Sequence, residues 1–449
     1  MSQGSQLVDV VIVGGGPAGS AAGLTLLKRA GTSVALLESS NYEQPRIGES
    51  LTPGTRPLLE YLGVWDAFRQ QQTLASFGSQ AAWGTKDAGA LDYMFTMHGA
   101  GWALDRVGLD RMLADTFRER GGNLKTNARF TGCVRRAHGW QVEYERDGQS
   151  RSIDCRYLID ASGRRGRVAR QLNATRVAHD QLVGVAQLGT LLPGATMESM
   201  VLVEACEYGW WYSAPLPNNR VSTVLMSDGD IVHRLGAATA NNWRQLLQGM
   251  ALTRRRLRQV SFDSAPMVFG AISSCLQQLG GEGWVAVGDA AASHDPLSSS
   301  GIPHALGSGT QGALVAVNAL HGDGQALAAY ATSVADDFRQ YLKTHWRYYQ
   351  REQRFVEAPF WQRRQTPIAI SADTKIKPES QVTSDHPKSI HLPDHLLRKL
   401  SAQLRPGHHA STIVSEFAAA HPQVSHQRII LGLQDLIQAD SAETAESYG

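Results

Sequence analysis

The run VVIVGGGPAGSAAGL, Val10 to Leu24, constrains this chain more than any other stretch of it. Leu7 to Val13 is short, apolar and rich in β-branched residues, as a buried strand should be, and it ends in glycines. The alanines and leucines of Pro17 to Arg29 suit a helix that ends before Gly31, and Ser33 to Leu37 reads as a second strand. Strand, glycine turn, helix and strand in this order make a parallel βαβ unit, with the turn at the carboxyl edge of the sheet. Gly14 permits the tight turn, Gly16 lets a pyrophosphate approach the backbone, and Gly19 allows close helix packing, with Ala18 between them at the amino end of the helix. Glu38 closes the second strand 19 residues after Gly19, where a carboxylate can accept hydrogen bonds from an adenosine ribose.

Two later segments are expected to return to the same sheet: Arg156 to Ile159, before DASG, and Trp284 to Val287, before GDAA. The nucleotide-binding domain is therefore discontinuous, over residues 1–180 and 265–365. Between its parts, over residues 181–264, β-rich stretches such as LVGVAQLGTLL, GWWYSAPL and RVSTVLM are separated by Pro, Gly and Asn, and predict an antiparallel sheet facing the substrate. Asn241 to Gln259 and Asp323 to Glu352 read as helices. A shift to Thr, Ser, Lys, Asp and Pro marks a linker over residues 366–387, and three short helices within 388–449 (Asp394 to Leu404, Ser411 to Ala420, Ser425 to Gln438) make a small helical, winged-helix-like module.

Charge excludes one class of partner. The formal net charge is +2 with both signs interspersed, which gives no footprint for nucleic acid. The amino terminus lacks a signal-peptide pattern and no apolar stretch approaches the roughly 20 residues of a membrane span, so a cytoplasmic protein without a membrane partner is expected. Cys133, Cys155, Cys206 and Cys275 lie far apart, without zinc-ligand spacing, and are expected to be buried, reduced thiols with no metal.

A second motif separates FAD from NAD. GWVAVGDAAASHDPLSSSGIPHAL, Gly283 to Leu306, resembles the GD motif of FAD-dependent hydroxylases and halogenases. The resemblance implies a glutathione-reductase-like, Rossmann-type α/β fold. It also implies that Asp289 reaches the ribityl chain, and that the turn holding Pro296 and Ser300 leads to a helix whose first residues, Gly301 and Ile302, face the flavin. A helix amino terminus there suits an anionic reduced flavin. LDRVGLDRML, Leu104 to Leu113, resembles the family's arginine-containing helix start and implies that Arg106 lies close to the cofactor.

RIGESLTPGTRPLLEYLGVW, Arg46 to Trp65, and GWWYSAPLP, Gly209 to Pro217, narrow the match. They resemble the flavin-dependent tryptophan halogenases and, more closely, the LodB-, GoxB- and QhpG-like flavoproteins that mature cysteine tryptophylquinone enzymes. This implies cofactor contacts from Arg46 and Ser50, with Glu49 anchoring the loop. It also implies a monooxygenase that hydroxylates a tryptophan side chain of a partner polypeptide. A halogenase or hydroxylase of a small or carrier-bound aromatic is the alternative.

Departures from the halogenase pattern favour oxygen transfer. SFGSQAAWG, Ser76 to Gly84, lacks the halogenase lysine, with Lys86 the nearest, and Ser298 stands where tryptophan halogenases place a glutamate. In DASGRRGRVAR, Asp160 to Arg170, Ser162 replaces a second aspartate, which points to a separate flavin reductase as the source of electrons. Trp211 and Tyr212 are expected to wall the substrate pocket. His294, between Asp289 and the flavin-facing helix, is the expected proton acceptor, with His98 and His304 behind it.

Overall fold

The computed structural model describes residues 6–365, apart from 30, 94–98 and 263, and residues 392–436, apart from 406, 425, 427, 431, 434 and 435. The expected linker and His98 lie outside the described residues. The chain divides into two compact units, Met1–Phe338 with Arg351–Trp361, and Arg339–Gln350 with Gln362–Gly449.

The larger unit is built on the strand β1 (Gln6–Val13), the helix α1 (Pro17–Leu27) and the strand β2 (Val34–Leu37). β1 pairs in parallel with β2 on one side and with Gln149–Asp160 on the other, so that Val13 stands beside both Leu37 and Asp160. Asn123–Lys125 extends the parallel sheet beyond β2, and Trp284–Ala286 extends it beyond Gln149–Asp160. Val10, Val11 and Ile12 are fully buried, as in the central strand of a parallel sheet. α1 crosses the helix Gly301–Leu320 at a backbone contact: a Cβ on Gly309 would stand 2.1 Å from the Ala18 carbonyl oxygen.

A second, eight-stranded sheet is mostly antiparallel, with Leu182–Leu191, Arg220–Asp228, Gly209–Leu216 and Val201–Cys206 adjacent in that order. It also recruits strands from outside residues 181–264. Gly78–Ala82 joins Val201–Cys206 in parallel, Gly89–Asp92 pairs with Gly78–Ala82, and Met267–Gly270 pairs with Leu182–Leu191. One face of the sheet packs on the helix Ala240–Gln248 through Val185, Trp211, Leu225 and Trp243. The helix expected over Asn241 to Gln259 is interrupted beyond Gln248 and resumes at Leu252–Arg256.

In the smaller unit, Asp394–Ser401 and Ala410–Ala420 are helical, and they share an apolar core of Leu396, Leu397, Leu400, Ile413 and Phe417 with Ile429, Leu433 and Leu436. Among the described residues no helix is long and apolar enough to cross a membrane. Cys133, Cys155 and Cys206 are buried and Cys275 half-buried, all four as free thiols. Burial pushes Cys133 and Cys275 up to about 11 and Cys155 to about 12, so these sulfurs are inert at neutral pH.

Candidate active site

A cavity of about 830 Å³ runs from the β1–α1 turn to the inner face of the antiparallel sheet. At one end the glycines act by position. Gly14 has φ +108°, and a Cβ there would stand 2.2 Å from the Ala161 carbonyl oxygen. A Cβ on Gly19 would collide with the Gly14 carbonyl oxygen at 1.8 Å, whereas one on Gly16 would meet nothing within 4 Å. Gly14 and Gly19 therefore close the turn, and Gly16 leaves an open floor at the amino end of α1, where unpaired N–H groups favour an anion.

Glu38 and Arg46 line the next part. The Oε1 of Glu38 accepts from Ser40 N, Ser40 Oγ and Arg46 Nη2, and its Oε2 accepts from Gly15 N at 2.8 Å, so room for a ribose hydroxyl remains only at Oε2. Arg46 also donates through Nη1 to Asp110 at 2.8 Å. Arg106 reaches the same buried carboxylate through Nε and Nη2 at 3.2 Å and donates through Nη1 to the Ile47 carbonyl at 3.0 Å. Asp110 thus ties the loop after β2 to the helix Arg106–Glu119. Sequence reasoning missed it, because a lone acid on a helix resembles a solvated residue.

Ser50, Asp289, Pro296, Gly301 and Ile302 line the far part of the cavity, whereas Gly19 and Ser300 are not among its lining residues. Arg164 pairs with Asp289 at 3.3 Å and donates to the carbonyls of Ile272 and His294, so this arginine is a clamp rather than a solvated charge. Asp160 accepts from Ser162 N, Ser162 Oγ and Ala169 N, and so fixes the turn after its strand.

The inner face of the sheet supplies the other wall in two rows. Phe269, Gly184, Met226 and Trp210 stand side by side across four strands, and Met267, Ala186, Val224 and Tyr212 form the next row. Trp210, Tyr212, Val224, Met226, Met267 and Phe269 line the cavity. Trp211 does not. Successive strand residues face opposite sides, so it lies beneath the sheet, edge-on to Trp243 with ring centroids 5.0 Å apart. The expectation for Trp211 is corrected, and Trp210 takes its place.

The environment also revises the expectation for His294. Its ring lies against His304 and Phe338, with Nδ1 3.4 Å from Ser300 Oγ. Burial, then His304 and Arg164, push its pKa down to about 3, so the imidazole is neutral at pH 7 and a weak proton acceptor. His304 is lowered as well, by burial. Glu49 is buried and shifted upward by desolvation, and its Oε2 accepts from Gly48 N at 3.0 Å, as suits a loop anchor. Lys86 is exposed, and among the described residues no lysine lines the cavity.

A family model described as an FAD binding domain matches residues 7–332. The chain belongs to this FAD-binding family. Such a member is an FAD-dependent oxidoreductase, and the open floor at Gly16, the α1 amino end and the arginine-rich wall fit a dinucleotide flavin. LodB of Marinomonas mediterranea, assigned as an FAD-dependent oxidoreductase, is 33% identical over 363 residues, which are 79% of this chain and 96% of LodB. CmlS, a flavin-dependent halogenase, matches at a TM-score of 0.71 with 18% identity, covering 99% of this chain and 98% of its own. QhpG, a peptidyl tryptophan dihydroxylase essential for tryptophylquinone cofactor biogenesis, matches at 0.67 with 22% identity, covering 96% and 99%. Within the FAD-binding family the chain is therefore similar in sequence to LodB, and in fold to CmlS and QhpG.

Proposed function

We propose that this protein is a monooxygenase that hydroxylates a tryptophan side chain of a partner polypeptide during biogenesis of a cysteine tryptophylquinone cofactor. The observation that carries the reading is the wall of Trp210, Tyr212, Val224 and Met226, which faces the cavity with no lysine beside it among the described residues. Bound FAD supplies the reduction of dioxygen and the electrophilic oxygen atom. The protein's part is to hold an indole ring against that wall and to exclude water from it. Trp210 and Tyr212 offer ring faces and edges to the indole, and Met226 a polarisable thioether. Gly14, Gly16, Ala18, Glu38, Arg46 and Arg106 would hold the adenosine and pyrophosphate, and Asp289, Pro296, Gly301 and Ile302 the flavin end. Tyr212 is held far above its ordinary range by desolvation, and so serves as a neutral hydrogen-bonding phenol rather than a base. The likeness in sequence to LodB and in fold to QhpG supports the same reading.

Asp160 and Ser162 spend their hydrogen bonds on the turn that follows them, which supports a separate flavin reductase as electron donor. Reduction of the purified protein's FAD by NADH or NADPH at catalytic rates would exclude that donor.

The decisive test is co-expression with an amine oxidase or amine dehydrogenase subunit encoded beside this chain, in medium containing bromide, followed by the intact mass of that subunit. Oxygen gained on one tryptophan is the expected result. Bromine gained instead would make the protein a halogenase, and an unchanged mass would turn the search to small aromatics.

A further inference from the structure

The strand Met267–Gly270 closes one side of the substrate wall and pairs with Leu182–Leu191 alone among the described residues. Its residues face Ala186, Val185, Gly184 and Val183 in antiparallel register. Ala271 N donates to the Leu182 carbonyl at 2.9 Å. Antiparallel ladders alternate, so Phe269 and Met267 spend their backbone groups on Gly184 and Ala186, while the N–H and C=O of Val268 point away from the sheet. Phe269 is pinned in place because Gly184 has no side chain: a Cβ there would stand 2.2 Å from the Phe269 ring.

This edge breaks the usual rule. Exposed edge strands are normally blunted by charge, proline or a cover, because unpaired backbone groups recruit other strands. Here the edge reads Met-Val-Phe-Gly, and Met267 is 36% and Val268 53% exposed. All four residues line the cavity that holds Trp210 and Tyr212. A side chain seated against that wall from this side brings its flanking backbone alongside an apolar strand with free donors and acceptors.

We propose that Met267–Gly270 is the docking strand for the substrate polypeptide, which adds to the sheet edge as an extended segment and so delivers its target side chain into the cavity. The proposal rests on the peptidyl-tryptophan reading above. Backbone pairing supplies affinity without regard to sequence, and the pocket beside it selects the aromatic side chain.

Val268→Pro tests it, since proline removes an outward N–H without breaking a bond to Leu182–Leu191. Val268→Thr keeps the N–H and the branched shape and serves as the control. Both are compared with the unaltered protein for FAD content and for oxygenation of the co-expressed subunit. The expected result is normal FAD content in both, a roughly ten-fold loss of subunit oxygenation in Val268→Pro, as for a lost hydrogen bond that leaves its partner unpaired, and near-normal oxygenation in Val268→Thr. Equal oxygenation by Val268→Pro and the unaltered protein overturns the docking strand and leaves the monooxygenase reading intact. An equal loss in Val268→Thr overturns it too, by assigning the effect to the valine side chain. If the unaltered protein does not oxygenate the subunit, the monooxygenase reading itself fails and takes the docking strand with it.

Discussion

Trp211 and Tyr212 are consecutive on one strand, yet Trp211 pairs across the sheet with Leu225 and packs on Trp243 beneath it, while Tyr212 pairs with Val224 and lines the cavity. The two aromatics therefore do different work. Trp211→Ala is expected to destabilise the protein by about 3–5 kcal/mol, as for a buried large-to-small change, with the substrate KM little altered in whatever protein remains folded. Tyr212→Ala is expected to cost less stability and to raise KM for the proposed substrate. Thermal unfolding and steady-state kinetics on the two variants separate the roles.

Gly14 and Gly16 make a second contrast. Gly14→Ala forces a side chain into the Ala161 carbonyl at a positive φ, and is expected to abolish soluble expression or to unfold the turn. A side chain at Gly16 meets no protein atom, so Gly16→Ala is expected to leave apoprotein stability within about 1 kcal/mol while weakening FAD affinity by more than ten-fold. Urea unfolding of apoprotein beside FAD titration gives both numbers.

Asp110 pairs with both Arg46 and Arg106 from a fully buried position. Asp110→Ala leaves Arg106 without a carboxylate and Arg46 with Glu38 alone, a change that costs about 3–5 kcal/mol when a buried pair is broken. FAD binding is expected to weaken as Arg46 loses one of its two carboxylate anchors. The double variant Asp110→Ala with Arg46→Met is expected to recover part of the stability and none of the affinity, which a denaturation series and a flavin titration would show.

His294 gives the apoprotein an acid limb. Its folded pKa, about 3, lies below its ordinary 6.5, so the unfolded chain binds the proton more tightly. The His294 contribution is fully present above about 6.5 and is lost progressively as the pH falls toward 3, by an amount on the order of a few kcal/mol. His294→Gln is expected to flatten stability against pH over that window, measured as urea midpoints from pH 7 to pH 4. An unchanged slope would assign the acid limb to other groups.

Local backbone constraint was the most legible part of the sequence. The β1–α1 turn follows from Gly14 and Gly19, where any side chain collides, and the return of Trp284–Ala286 to the parallel sheet follows from an apolar run ahead of a glycine. The phase of the aromatic strand was not legible. Gly209–Leu216 is buried on nearly every residue, so no polar alternation marks which face is which, and nothing in the sequence separates the roles of Trp210 and Trp211. Nor was the recruitment of Gly78–Ala82 and Met267–Gly270 legible, since pairing between strands so distant in sequence leaves no local signature. His294 illustrates a third limit: position in the chain suggested a base, but its burial beside His304 and Arg164 decides its protonation.

The interleaving of the two sheets has a consequence for biosynthesis. β1 and β2 leave the ribosome early, whereas Trp284–Ala286 and the helix Gly301–Leu320 follow after the whole antiparallel sheet has been made. At roughly 5–20 residues per second, translation separates the two by tens of seconds. A nascent chain in that interval presents only half of the nucleotide cradle, so the FAD site is complete only once the helix Gly301–Leu320 has been made.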